Sequence, residues 1–207
     1  MALKLKTSQK IYLPFKRFFD IFLSLMVILV FGWLYLIIAL LVKCSSKGPV
    51  FFKQKRIGKN KKEFYILKFR TMRTDTPKDV PTHLLENPEI YITKIGRFLR
   101  KTSLDELPQV FNIFVGQMSI VGPRPALWNQ FDLIEQRDQY GANDIRPGLS
   151  GWAQCHGRDT LPIPEKAALD GCYVLKFNIW MDIKIIFMTA IQAFVGKDEV
   201  EGKADGK

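Results

Sequence analysis

From Ile21 to Val42 the chain runs for 22 residues without a charged side chain, and no other stretch limits its folding as much. As a helix it is about 33 Å long, enough to cross a hydrocarbon core of about 30 Å. It is too long for the apolar part of a secretory signal and no small-residue cleavage site follows it, so it is expected to stay in the protein. Lys4, Lys6, Lys10, Lys16 and Arg17 precede it with Asp20 as the single acid, and Lys43, Lys47, Lys53, Lys55, Arg56, Lys59, Lys61 and Lys62 follow before Glu63. The positive-inside rule favours the cytoplasm for both flanks, which a simple span cannot provide. A re-entrant helix that enters the membrane, bends and returns does provide it, and Gly32 stands near the middle at a suitable bend. A plain single span is the competing reading. Arg17 and Asp20, three apart, can pair on one helix face at the membrane interface.

Thirty-one basic against twenty acidic residues give a net charge of +11, while 47% of the chain is hydrophobic. That combination is unusual for an ordinary cytosolic enzyme and points to an anionic membrane surface, nucleic acid or phosphorylated substrates. Three cysteines without a CxxC pair suggest neither a disulfide framework nor a zinc site, which suits a reducing, cytosol-facing location. The length allows one domain with an appendage.

After the apolar run, Val50-Phe51-Phe52 and Phe64-Tyr65-Ile66-Leu67 flank a Gly58-Lys59-Asn60 turn, which predicts a β-hairpin. Its aromatics and lysines suit lipid headgroups or nucleic acid equally. Residues 74–90, with three prolines and His83, read as a surface loop with a solvated histidine. Ile92 to Lys101 and Leu107 to Val115 read as short amphipathic helices, either packed in the core or lying at a membrane interface. Ala126 to Tyr140, Pro164 to Lys176 and Ile179 to Val195 read as further helices. The last is too short to span comfortably and is expected to be packed or interfacial. Residues 197–207 form a charged tail, expected to be disordered.

The chemistry is expected at Thr102-Ser103-Leu104-Asp105-Glu106-Leu107-Pro108-Gln109. The residue before a proline is pushed away from helical geometry and proline suits a first helical position, so Leu107-Pro108 reads as a helix start. Asp105 and Glu106 then sit where unpaired amides favour anions, phosphate included. The same residues also fit a plain capping box, in which Glu106 reaches back to the backbone near Ser103 and does no chemistry. Gly122-Pro123-Arg124-Pro125, Ile145-Arg146-Pro147-Gly148 and Gly157-Arg158-Asp159 set arginines in stiff turns, where a planar guanidinium can grip two phosphate oxygens at little cost in freedom. Cys155 and His156 do not make a nucleophile and base, because neighbours on an extended stretch point to opposite faces.

These stretches together resemble the bacterial sugar transferase family, the monotopic phosphoglycosyl transferases, from about Phe15 to Val195. Its carriers are Lys16-Arg17-x-x-Asp20, Lys68-Phe69-Arg70-Thr71-Met72, Ser103 to Gln109, Gly122-Pro123-Arg124-Pro125, Arg146-Pro147-Gly148 and Gly157-Arg158. The resemblance implies an α+β, mostly helical fold. Residues 1–43 would form a basic N-terminus with a re-entrant membrane helix anchored by Arg17, Asp20 and Gly32. Residues 44–196 would form a small catalytic domain with a β-hairpin and interfacial helices, on the cytoplasmic face of the inner membrane. The implied reaction moves a sugar-1-phosphate from a UDP-sugar donor to a polyprenol (undecaprenyl) phosphate acceptor, with Mg²⁺, membrane lipids as surroundings and homodimerisation left open. Asp105 would be nucleophile and metal ligand. Glu106 would be its partner, orienting metal or handling a proton, and Arg100, Arg124, Arg146 and Arg158 would bind phosphate. Two departures stand out: Gly32-Trp33 replaces a frequent Ser-Pro bend, and Cys155-His156 replaces an apolar residue and asparagine. A membrane-tethered, non-enzymatic nucleic-acid binder is the alternative.

Overall fold

A computed structural model describes residues 5–77, 85, 87–157 and 161–195 of the chain. His83 and residues 197–207 lie outside the described residues, as does Arg158. The apolar run is the middle of one α-helix, α1 (Thr7–Ser45), which continues through Gly32 without interruption. The bend expected there does not appear as a break in the helix. Glycine lacks the ring by which proline forces one, and a Cβ at Gly32 would meet nothing within 4 Å, so packing does not demand glycine either.

α1 packs on the rest of the protein near both of its ends. Gln9, Asp20, Ser24, Tyr35, Ile38 and Val42 are buried, and they recur at the spacing of one helix face. Near one end the Gln9 side-chain amide donates to the carbonyl of Val174 at 2.9 Å. Near the other, Val42 is fully buried in a cluster with Phe69, Leu99 and Val110. Both ends therefore rest on one domain, and a domain occupies one side of a membrane. The opposite face of α1 exposes Phe15, Phe18, Phe22, Leu29, Trp33, Leu36 and Leu40. Both basic flanks can thus stay on one side of a membrane.

Strands β1 (Phe51–Ile57) and β2 (Glu63–Phe69) form the predicted hairpin, with Phe51 opposite Phe69 and Ile57 opposite Glu63. Asn60 and Lys61 turn it in the left-handed region, at φ 54° and 58°. Phe64 and Ile66, alternate residues of β2, point inward onto Ile113 and Met118. Helices α2 (Lys94–Lys101) and α3 (Gln109–Phe114) follow, shorter than their sequence patterns. Each divides its apolar residues: Leu99, Val110 and Ile113 are buried, while Phe98, Phe111 and Phe114 are exposed. The packed reading of these helices is met on one face, and the other face leaves its aromatic residues exposed.

A second small sheet pairs β3 (Ser119–Val121) in parallel with β4 (Gly148–Ser150). The chain between them carries α4 (Phe131–Asp138), which starts five residues after the expected Ala126. The reason is tertiary: Ala126 accepts from the Ile57 amide at 2.9 Å and Leu127 bridges to Arg56, so the backbone of this segment is committed to the hairpin. Gly148 touches the other turn of this sheet closely, since a Cβ on it would fall 2.1 Å from the Gly122 nitrogen. Cys155 ends a short helix, α5 (Trp152–Cys155), and is not on an extended stretch as expected. The two side chains still diverge: the Cys155 thiol faces Ile185 and Thr189, whereas His156 Nδ1 bonds the Trp152 carbonyl. Helices α6 (Ile163–Lys176) and α7 (Ile179–Val195) close the fold, burying Tyr173, Val174, Phe177 and Ile185 with Val121 and Ala142. The protein is α+β and mostly helical.

The shared footing of the two ends of α1 can be read out by labelling. With Cys155 and Cys172 replaced by serine, a membrane-impermeant maleimide should reach the exposed Cys44 and a cysteine placed at Ser8 from the same side of sealed vesicles. Labelling of the two from opposite sides would show that α1 leaves the domain and spans.

Candidate active site

Leu104–Glu106 is a single 3-10 turn between α2 and α3. Ser103 enters it at φ 54°, in the left-handed region, and its side chain makes no capping bond. The capping box therefore does not form, and the Glu106 side chain is turned elsewhere. Its Oε1 accepts from Lys68 Nζ at 2.7 Å and from Arg124 Nη2 at 3.2 Å. Asp105 is 7% exposed, with Oδ2 3.9 Å from the same Lys68 nitrogen. One lysine thus faces both carboxylates.

Lys68 was not singled out from the sequence beyond its place in a motif. A signal was there: it shares the inward parity of Phe64 and Ile66 on β2, and a lysine at an inward strand position requires a partner. Burial by itself would push the Glu106 carboxyl up, but the charges and hydrogen bonds of Lys68 and Arg124 outweigh it and hold the group well below its ordinary value of 4.5. Glu106 is therefore a fixed carboxylate at neutral pH.

Arg124 is held through its backbone. Four successive carbonyls of its turn each accept one bond at 2.9 Å: Pro123 from the Gly148 amide, Arg124 from Arg137 Nη1, Pro125 from Arg56 Nη1, and Ala126 from the Ile57 amide. Arg137 is itself locked, with Nε and Nη2 on Asp170 Oδ2 at 2.8 and 2.5 Å and side chains only 4% and 1% exposed. Removing one partner of such a pair would strand the other charge in the interior.

The remaining predicted residues separate into two places. Arg100 lies in the last turn of α2, whose neighbour is the Leu104–Glu106 turn, and donates to Thr71 Oγ1 at 3.0 Å and to Met72 Sδ at 3.3 Å. That contact depends on Gly96, because a Cβ there would sit 1.9 Å from the Thr71 carbonyl oxygen. Arg146 is at the other end of α3, donating to the Gly116 carbonyl at 2.9 Å. Arg17 joins it there, with its two terminal nitrogens on the carbonyls of Ile113 and Phe114 at 2.7 and 2.8 Å. Helices end with unsatisfied carbonyls, so these two arginines complete the C-terminus of α3. Asp20 does not pair with Arg17 as expected; its Oδ1 accepts from the Ile120 amide at 2.9 Å and the Ser119 hydroxyl at 3.1 Å. Lys16 goes to Asp182 on α7 at 2.5 Å.

Fold and site together define a small domain that sets a carboxylate pair among cationic side chains, beside a helix long and apolar enough to enter a membrane. The model of the bacterial sugar transferase family matches residues 11–196, and the chain belongs to that family. It is 40% identical over 200 residues to the UDP-glucose:undecaprenyl-phosphate glucose-1-phosphate transferase of Klebsiella pneumoniae, covering 90% of this chain and 42% of the relative. It is 43% identical over 195 residues to the exopolysaccharide production protein PSS of Rhizobium leguminosarum bv. phaseoli, covering 86% of this chain and 94% of that one. A UDP-N-acetylgalactosamine-undecaprenyl-phosphate N-acetylgalactosaminephosphotransferase of Aeromonas hydrophila is 38% identical, over 86% of this chain and 43% of its own length. The chain thus spans about two fifths of the Klebsiella and Aeromonas relatives.

Because the folded pKa of Glu106 lies below its ordinary 4.5, the stability it contributes is present above that pH and is lost as the pH falls below it. Glu106→Gln should lower stability by about 1–3 kcal/mol at pH 7, measured by thermal unfolding in detergent. The gap between wild type and variant should close on acidification below pH 4.5. A gap that stays constant through that range would contradict the clamp.

Proposed function

We propose that this protein transfers a sugar-1-phosphate from a UDP-sugar to a polyprenol phosphate, undecaprenyl phosphate in a bacterial membrane, and releases UMP. The step would begin the assembly of a polysaccharide or other glycoconjugate. The observation that carries this reading is Asp105 set beside a Glu106 already neutralised by Lys68 and Arg124, in a chain 40% identical to a relative named for that reaction.

In this reading an Asp105 carboxylate oxygen attacks the phosphorus that bears the sugar. The bond from that phosphorus to the bridging oxygen breaks, and UMP leaves with the oxygen and its electron pair. An oxygen of the polyprenol phosphate then attacks the same phosphorus, the acyl-phosphate bond breaks, and the Asp105 carboxylate returns. Splitting the transfer this way replaces one hard displacement by two easier ones. Neither step needs a general base, because a carboxylate and a phosphate are nucleophiles without losing a proton. A Glu106 held ionised suits this chemistry: it fixes Lys68 and Arg124 around the reacting phosphate and moves no proton itself. Preorganised positive charge is the main service a protein can give to phosphoryl transfer.

Among the described residues no three His, Cys, Asp or Glu side chains converge. That matches Mg²⁺ held by one carboxylate and the substrate's own phosphates, with Asp105 as the protein ligand; bound there, it would neutralise phosphate charge. Arg124 and Arg100 are placed to bind phosphate near the pair, while Arg146 serves the far end of α3. The domain is assigned to the cytoplasmic face of the inner membrane, where both basic flanks of α1 are favoured. The nucleic-acid alternative has no support among the relatives, and Lys68, Arg124, Arg137 and Arg17 are engaged inside the protein rather than on a free face.

The test is UMP release by detergent-purified protein with Mg²⁺, undecaprenyl phosphate and a panel of UDP-sugars that includes UDP-glucose and UDP-N-acetylgalactosamine. Wild type should release UMP from at least one donor, and Asp105→Asn should lose about a thousandfold or more of that rate while remaining folded. A near-normal rate in the variant would falsify the assignment of the nucleophile.

A further inference from the structure

Gln109 opens α3, three residues after Glu106, and is 1% exposed. Its side-chain nitrogen Nε2 is fully buried and has no hydrogen-bond partner. The turn that holds it is tightly wound, with the Leu107 amide on Leu104, Val110 on Leu107 and Phe111 on Pro108, all i→i−3 bonds. In such a turn residues three apart lie over one another, so Glu106, Gln109 and Asn112 make one row. The two outer members of that row are bonded to β2. Glu106 accepts from Lys68 at 2.7 Å, and Asn112 accepts from the Leu67 amide at 3.0 Å while donating to the Tyr65 carbonyl at 2.8 Å. Gln109, between them, braces nothing.

Among the described residues Ser46, at the C-cap of α1, also has a buried Oγ without a partner; the two longer side chains with an unpartnered atom differ from Gln109 in one respect. Arg70 lacks a partner at Nε and Gln154 at Oε1, but each uses its remaining nitrogens to hold backbone carbonyls. They have structural work that accounts for the residue type. An amide buried without a bond is destabilising, and an apolar side chain of the same shape would be tolerated or preferred at such a position. A donor kept in the same row as Glu106, three residues on, is explained if something absent from the free protein accepts from it. Phosphoryl oxygens accept and cannot donate, and under the proposed function they arrive at this point.

We propose that Gln109 is a further substrate-binding residue, whose Nε2 donates to an oxygen of the transferred phosphate of the UDP-sugar. The inference rests on the proposed function. It is tested with Gln109→Met, close in shape but without a donor, and Gln109→Glu, which turns the donor into an anion. Three readouts apply: kcat/KM for UMP release from the UDP-sugar that wild type turns over, the thermal midpoint without substrate, and the rise in that midpoint on adding the donor. Gln109→Met should melt at or above the wild-type temperature, yet lose roughly ten- to a hundredfold in kcat/KM and much of the donor-induced rise. Gln109→Glu should lose more. A Gln109→Met enzyme with wild-type kcat/KM, or one whose loss tracks a lowered midpoint, overturns the proposal, as does a Gln109→Glu enzyme that keeps its rate. Wild type that releases no UMP from any donor overturns the proposed function, and this inference with it.

Discussion

A charged side chain at the edge of an apolar phase has to be paired or hydrogen-bonded, and the rest of this structure depends on how α1 meets that demand. Lys16, Arg17 and Asp20 stand where the helix turns apolar, and each takes its partner from a different element. Lys16 reaches Asp182 on α7, Arg17 the carbonyls that end α3, and Asp20 the amide and hydroxyl of β3. The junction is not a set of surface pairs of the Lys61–Asp138 kind, whose lysine and aspartate are 53% and 39% exposed and which solvent screens. Its groups are largely enclosed, so each partner left alone would be costly. The consequence reaches the candidate site: the turn that carries the carboxylate pair leads into the opposite end of α3, and β3 runs directly into the turn of Arg124. The long apolar helix and the carboxylate pair are tied together by one set of bonds.

Within the site, charge is arranged in pairs that leave a deliberate remainder. Asp170 neutralises Arg137, so Arg137 can hold the Arg124 carbonyl without adding a free cation. Glu106 draws Lys68 and Arg124 together, and two cations on one carboxylate leave net positive charge next to Asp105. In the proposed reaction, a nucleophile that must approach a phosphate, itself anionic, needs that surplus. The backbone bonds on four successive carbonyls keep Arg124 from following the substrate away, so little reorganisation remains when the phosphate binds.

What the sequence disclosed was mostly local. The hairpin follows from alternation around Gly58-Lys59-Asn60, and α6 and α7 from helical periodicity, because each signal is contained in the segment that obeys it. The importance of Asp105 and Glu106 was legible from composition and the following proline, but their orientation was not. Ser103-x-x-Glu106 satisfies a capping pattern, and only β2 and the Arg124 turn, 38 and 18 residues away in sequence, decide that Glu106 faces them instead. The same kind of distance explains the other misses. Ala126 to Gln130 have helical promise that the hairpin overrides, Arg146 sits in a stiff turn but is aimed at Gly116, and Arg17 and Asp20 have the spacing of a pair while each has a better partner across the fold.

Gly32 shows the limit from another side. Its position in the apolar run invites a bend, and the charge on both flanks argues that the helix must come back. The structure carries the helix through Gly32 without a break, and both of its ends have buried residues packed on the rest of the protein. Other elements expose apolar residues too: Phe111 of α3, which packs against Tyr35 of α1, is exposed together with Phe98 and Phe114, and α7 exposes Trp180, Ile183 and Phe187 along one side. Apolar surface of that extent is unfavourable in water and marks a membrane or partner surface. If it rests in the headgroup region, α2 and α3 lie at the level of lipid phosphates, and the turn between them is the one that carries Asp105 and Glu106. Under the proposed function, a lipid-linked acceptor would then present its phosphate to the carboxylate pair without drawing its chain out of the membrane.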